Sequence, residues 1–150
     1  MELYLCDIYN PGAGQCGPTK KQGMKRGEIV RLKDGSEVRR VCQTLDLRDD
    51  PELIAEYRRR HEEGNIWREV IEGIRAVGVL EMEIYILGTR LFMIVDTPVD
   101  FDWDEQMAKL ATLPRQEEWE RYMSSFQLAD SNATSAEKWR MMERMFHLYD

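Results

Sequence analysis

Strict alternation begins near residue 40. Val41, Gln43, Leu45 and Leu47 fall on one side and Cys42, Thr44 and Asp46 on the other, which predicts a strand over 40–47. Just upstream, "EIVRLKDGSEVRR" alternates around Asp34-Gly35, a hairpin-turn pair, so an extra short strand is expected over Glu28 to Leu32. "DDPELIAEYRRR" then opens a helix. Asp49 or Asp50 can cap it, Pro51 suits its first position, and Glu52 favours the helix dipole. Leu53, Ile54 and Tyr57 form its apolar stripe, and helical spacing carries the next turn to Arg60 and His61. Gly64-Asn65 interrupts the pattern, after which Ile66, Trp67, Val70, Ile71, Ile74 and Val77 build a second stripe ending at Gly78.

"VLEMEIYIL" alternates again, Gly88-Thr89 fits a tight turn, and "RLFMIVD" is apolar enough to be buried on both faces, so residues 79–96 read as a hairpin. Beyond Pro98, helices are expected over Asp104 to Ala111 and Arg115 to Phe126. "LADSNATSAEK" reads as a polar loop and "WRMMERMFHLYD" as a last strand. The order strand, helix, strand, strand, helix, strand predicts an α+β fold of the ferredoxin-like split βαβ type: a four-stranded antiparallel sheet with its helices on one face. Leu45, Ile84, Met93 and Phe146 cannot all lie under the helices if Tyr85, Leu87, Phe92 and Leu148 lie there too, so apolar groups point both ways. An apolar second face is seldom left in water, so a sheet-to-sheet homodimer is expected.

Composition narrows the function. With 150 residues and 43% hydrophobic content the chain holds one domain with a real core, here residues 27–150, preceded by a glycine-, proline- and lysine-rich extension over 1–26 expected to be mobile. A net charge of −7 argues against a nucleic-acid partner. No stretch approaches the ~20 apolar residues that span a bilayer, so no membrane association is expected. Cys6, Cys16 and Cys42 have no metal-ligand spacing, and their odd number without an export signal fits reduced thiols in the cytoplasm.

The remaining chemistry centres on Tyr57 and His61. At i and i+4 they share one helix face, placing a phenol beside an imidazole at the boundary of core and pocket. The alternative is a histidine bonded within the core or at a fraying helix end. His147, in the last strand, has no visible partner, and Arg58, Arg59 and Arg60 read most simply as a solvated face balancing Glu62 and Glu63, the alternative for Arg60 being a turn toward the Tyr57 face to hold an acidic group. Trp67 and Trp119 sit on apolar helix faces, where core packing is the default, although indoles are also what the C–H faces of a sugar would meet. No nucleotide-binding, triad or metal motif appears, so neither cofactor nor metal is called for. Proton transfer near neutral pH is what a histidine with a neighbouring hydroxyl can supply alone.

The stretches "LIAEYRRRH", "NIWREVIEGIRAVGV", "MEIYILGTRLFMIVD", "QEEWERYM" and "EKWRMMERMFHL" together resemble the L-rhamnose mutarotase family, including its L-fucose branch, over residues 41–149. The resemblance implies a dimeric ferredoxin-like α+β barrel enzyme that interconverts the anomers of a 6-deoxy hexose monosaccharide. It implies His61 as the proton donor, with Tyr57 and Trp119 contacting the sugar. Met82 stands where rhamnose-type members carry a strand tyrosine and Glu120 where they carry a second tryptophan, so these two, with Trp67, complete the expected substrate-binding set. The departures favour the fucose-handling branch. A cofactor-free oxygenase of the same fold and a non-catalytic sugar-binding module are the other readings of such a groove.

Overall fold

The structure, a computed structural model, describes residues 26–130 and 132–149. Strand β1 (Glu28–Arg31) turns back through Gly35, whose φ of 86° suits a glycine, into β2 (Glu37–Asp46). Helices α1 (Pro51–Arg60) and α2 (Arg68–Ala76) lead to the hairpin of β3 (Glu81–Leu87) and β4 (Arg90–Thr97), with Gly88 at φ 59° in its two-residue turn. Helices α3 (Trp103–Ala111), α4 (Gln116–Ser124) and α5 (Ser135–Lys138) precede the short β5 (Arg140–Met142).

Pairing is antiparallel throughout, in the order β5-β2-β4-β3, with β1 sharing with β5 the outer edge of β2. This is the ferredoxin-like arrangement expected from the element order, extended by β1 to five strands. Register lines up Val41, Val95 and Met82 in one row, Gln43, Met93 and Ile84 in the next, and Leu45, Leu91 and Ile86 in the third. Paired residues face the same way, so these rows form the floor beneath the helices. Leu91 and Val95 are 1% and 0% exposed there, and burying such a side chain contributes about 1.5–3 kcal/mol.

Two expectations are corrected. "LADSNATSAEK" is not all loop: Thr134 accepts from the backbone N–H of Glu137 while the Glu137 carboxylate accepts from that of Thr134, and this capping box starts α5. The last strand stops at Met142 instead of running to the chain end. Glu28 of β1 pairs with Arg40, and Met142 with Cys42, so β1 already occupies the edge along which β5 would continue. The tail is deflected; Arg144 donates to the Ile29 carbonyl, and Phe146, expected in the sheet, is exposed, as are Met145 and Leu148. The N-terminal extension falls outside the described residues except for Arg26, whose guanidinium pairs with Asp104 at 2.9 Å.

Candidate functional site

Asp50, of the two aspartates that could cap α1, is the one that does: its carboxylate accepts from the backbone N–H groups of Glu52 and Leu53. The helix runs for ten residues and ends at its cap, His61, before the chain turns through Gly64 at φ 84°. The helical spacing places the imidazole against the Tyr57 ring, with centroids 4.2 Å apart. The His61 Nδ1 lies 2.7 Å from the Tyr57 carbonyl oxygen. A carbonyl can only accept, so Nδ1 carries the hydrogen and donates it, leaving Nε2 as the free acceptor of the neutral ring. Burial lowers the His61 pKa below the ordinary histidine value, and the bond to the carbonyl opposes that shift without cancelling it.

Around this imidazole the aromatic groups close a loop. His61 meets Trp119 at 5.6 Å, Trp119 meets Trp67 at 5.2 Å, and Trp67 lies parallel to Tyr122 at 6.2 Å. Tyr122 then meets Phe126 at 5.2 Å, and Phe126 returns to Tyr57 at 5.8 Å. Most of these contacts are edge-to-face, the geometry ring quadrupoles favour. Trp119 is buried and Trp67 half-buried, so both expected indole contacts belong to one aromatic wall.

Two features of the chain let that wall assemble. Gly73 in α2 has no side chain where a Cβ would strike the buried Gln116, whose amide donates to the Glu69 and Val70 carbonyls and draws α4 against α2. Arg115, just before α4, adopts the left-handed conformation at φ 61°, and its guanidinium carbon sits 3.9 Å from the Trp67 ring centre. Sequence reasoning passed over Arg115 and Gln116; the only cue was the break at Leu113-Pro114 just ahead of them. The arginines of α1 are exposed as expected but pair with an acidic group other than Glu62 and Glu63, and Arg60 holds one as its alternative reading had it. Arg59 and Arg60 both pair with Glu56, and Arg60 lies 5.7 Å from the Tyr122 ring centre.

Glu120 lies on α4 and is half-buried. Burial raises its pKa above the ordinary carboxylate value, while the Lys138 charge and the nearby Ser135 hydroxyl oppose the rise. Burial pushes the Tyr57 phenol well above the usual range, the nearby Gln127 amide opposes that rise, and the Glu120 charge adds to it. Lys138, itself buried, donates to the Ser124 hydroxyl. Lys138 also lines a cavity of about 280 Å³ in the gap left along the β2 edge between β5 and the Leu47–Gln127 bridge. Leu45, Arg90, Leu128 and Arg140 are among its other walls; His61, Tyr57 and Trp119 are not. Met82 lies on β3 opposite Val95, partly buried and packed on the core. His147 is exposed.

Among the described residues no group of three or more histidine, cysteine or acidic side chains is placed to hold a metal ion, and no helix is long and apolar enough to cross a membrane.

Comparison with known proteins agrees with this geometry. A family profile described as L-rhamnose mutarotase matches residues 40–148. An L-fucose mutarotase of Xanthomonas campestris pv. campestris is 39% identical over 111 residues, covering 74% of this chain and 89% of that protein. An L-rhamnose mutarotase of Burkholderia cenocepacia is 32% identical over 95 residues, covering 62% of this chain and 84% of that one. The crystal structure of an L-rhamnose mutarotase from Formosa agariphila superposes with a TM-score of 0.53 at 18% identity, covering 73% of this chain and 98% of that one, a likeness of fold. The chain therefore belongs to the L-rhamnose mutarotase family, whose members are carbohydrate isomerases.

Proposed function

We propose that the protein interconverts the α and β anomers of a 6-deoxy-L-hexose, with L-fucose preferred over L-rhamnose, and that His61 moves the proton. The observation that carries this reading is the fixed imidazole: Nδ1 is held by the Tyr57 carbonyl, so Nε2 alone is left to exchange protons. Support for the sugar comes from the higher identity to the fucose enzyme and from Met82 and Glu120 at positions where the rhamnose-type pattern has aromatic residues.

Opening the ring requires O1 to lose a proton and O5 to gain one as the C1–O5 bond breaks. The aldehyde then rotates about C1–C2, and closure on its other face reverses both transfers. With its pKa lowered, His61 is neutral at pH 7, so Nε2 takes the proton from O1. The imidazolium so formed is the acid that O5 needs, and both oxygens are bonded to C1. His61 thus serves as donor to the ring oxygen, the role implied by the family pattern, after first serving as base. Tyr57 orients the sugar, and the Trp67–Trp119 wall faces its C–H surface. Glu120, whose raised pKa favours a held proton, stands as a second exchanging group. No cofactor enters the scheme. One positioned acid–base group typically contributes 10²–10⁴-fold, an acceleration suited to a reaction that already proceeds in water.

The active form in this reading is a cytoplasmic homodimer. Half-buried Cys42 is a free thiol, which fits a reducing compartment. Tyr85 and Leu87 are exposed on the sheet face away from the helices, beside half-buried Phe92 and Ile94, and a second copy would cover them.

Saturation-transfer proton NMR over L-fucose, L-rhamnose and common D-hexoses tests the activity. Exchange above the uncatalysed rate for L-fucose, and less for L-rhamnose, is the expected result. No acceleration for any sugar would overturn the reading, and equal acceleration of all would overturn the preference.

A further inference from the structure

Leu113-Pro114-Arg115-Gln116 forms a turn closed by the Gln116 backbone N–H, which donates to the Leu113 carbonyl at 3.3 Å. Proline in second place followed by a residue at φ 61° and ψ 6° is the pattern of a type II turn, whose third place sterics reserve for glycine or asparagine. Arg115 is the one non-glycine residue at positive φ among the described residues. It is also the N-cap of α4, yet its side chain makes no capping bond. Two local preferences are set aside at a single position. Backbone cost of this kind gathers where a site needs a particular side chain in a particular place.

That place is the face of an indole. The Arg115 guanidinium carbon lies 3.9 Å from the Trp67 ring centre, and the guanidinium is flanked by Glu69 of α2 at 3.7 Å and Glu118 of α4 at 3.6 Å. Trp67 meets Trp119 edge-on at 5.2 Å, and Trp119 meets the His61 imidazole edge-on at 5.6 Å. In such a row the tilt of one ring constrains the next, so whatever fixes Trp67 also fixes Trp119 beside the imidazole. We propose that Arg115 is a positioning residue, pinning Trp67 and through it holding Trp119 at the angle that sugar binding beside His61 requires. The proposal rests on the mutarotase reading and adds to it a residue that neither the family motifs nor the helix periodicity marks. Glycine or asparagine would suit the turn better and leave the aromatic wall loose, the usual trade of stability against function.

The test compares the wild type with Arg115→Gln, which removes the cation but keeps the backbone cost, and Arg115→Asn, which removes the cation but suits both the left-handed position and the N-cap. Anomer exchange is measured by saturation-transfer NMR against L-fucose concentration, and the thermal midpoint is measured without sugar. Both variants are expected to raise KM by about two- to fivefold, the range that loss of an exposed cation–ring attraction gives, with a smaller change in kcat. The midpoint is expected to fall in Arg115→Gln and to stay level or rise in Arg115→Asn. If KM keeps its wild-type value in the folded variants, the proposal fails. It fails equally if KM follows the midpoint, raised in Arg115→Gln and restored in Arg115→Asn, because the side chain would then serve the turn alone. Should Arg115→Asn fail to fold, Arg115→Gly, suited to the same turn, takes its place. Absence of exchange in the wild type would instead count against the mutarotase reading itself.

Discussion

On the helix side of the sheet Leu91, Met93 and Val95 are buried, and there five aromatic rings close a loop with the His61 imidazole. On the opposite side Tyr85 and Leu87 are 54% and 84% exposed, and beyond β5 the tail leaves Met145 at 98%. Both sides draw on the same kinds of residue in the same alternating strands, so alternation alone does not say which becomes a site. The helix side gains its chemistry from a histidine whose hydrogen is fixed by a backbone carbonyl. The outer side and the tail hold apolar surface and, in His147, an exposed imidazole.

Exchanging the two histidines for alanine breaks this comparison most sharply. His61→Ala is expected to slow anomer exchange by about 10²–10⁴-fold, the usual contribution of a positioned acid–base group, while His147→Ala leaves the rate unchanged. Saturation-transfer NMR reads both, and equal losses in the two variants would erase the distinction.

A pH profile sharpens the same point. Since burial lowers the His61 pKa, kcat/KM should hold through neutrality and decline on the acid side, about tenfold per pH unit once the imidazole is protonated. Stability follows the same sign. The unfolded chain takes up the proton at a higher pH than the folded one, so the contribution of His61 is fully present above about 6.5 and is lost as pH falls through the lower folded value. A rate that rises toward acid, or a thermal midpoint that climbs between pH 7 and 5 by an amount His61→Ala abolishes, would reverse the assignment.

For the outer face, Leu87→Asp places a charge in the surface that a second copy would cover. Sedimentation equilibrium should show dimer association weakened tenfold or more, on the scale of an interface anchor lost, with the far-ultraviolet spectrum intact. A wild type that sediments as a monomer at all concentrations would leave that face without its proposed partner.

Two smaller effects concern the aromatic wall. Gly73→Ala forces a methyl group into Gln116 where α2 and α4 meet, and chemical denaturation should show a loss of about 1–3 kcal/mol. Arg115→Gln removes the cation from the Trp67 ring and should cost about 0.5–1 kcal/mol, visible also as a change in tryptophan fluorescence.

Much of this architecture was legible in the residues. The alternations around Val41 and Ile84, the cap and proline ahead of α1, and the glycine turn at Gly88 each act over a few neighbouring residues, and each element formed where those signals placed it. The approach of Tyr57 and His61 follows from helical spacing alone. What pattern did not show depends on contacts between distant segments. The Met142 limit of β5 is set by β1, more than a hundred residues earlier, which fills the same edge. Gly73 and Arg115 matter through Gln116 and Trp67 respectively, partners on other elements that no local periodicity identifies.

The most direct measurement is a nitrogen-15 correlation spectrum of the histidine side chains across pH, with the two signals assigned through His147→Gln. At neutral pH the account predicts a neutral His61 ring with hydrogen on Nδ1 and a bare Nε2, titrating below the ordinary histidine value and shifting at Nε2 when L-fucose is added. A hydrogen resident on Nε2 at neutral pH, or a ring indifferent to the sugar, would contradict it.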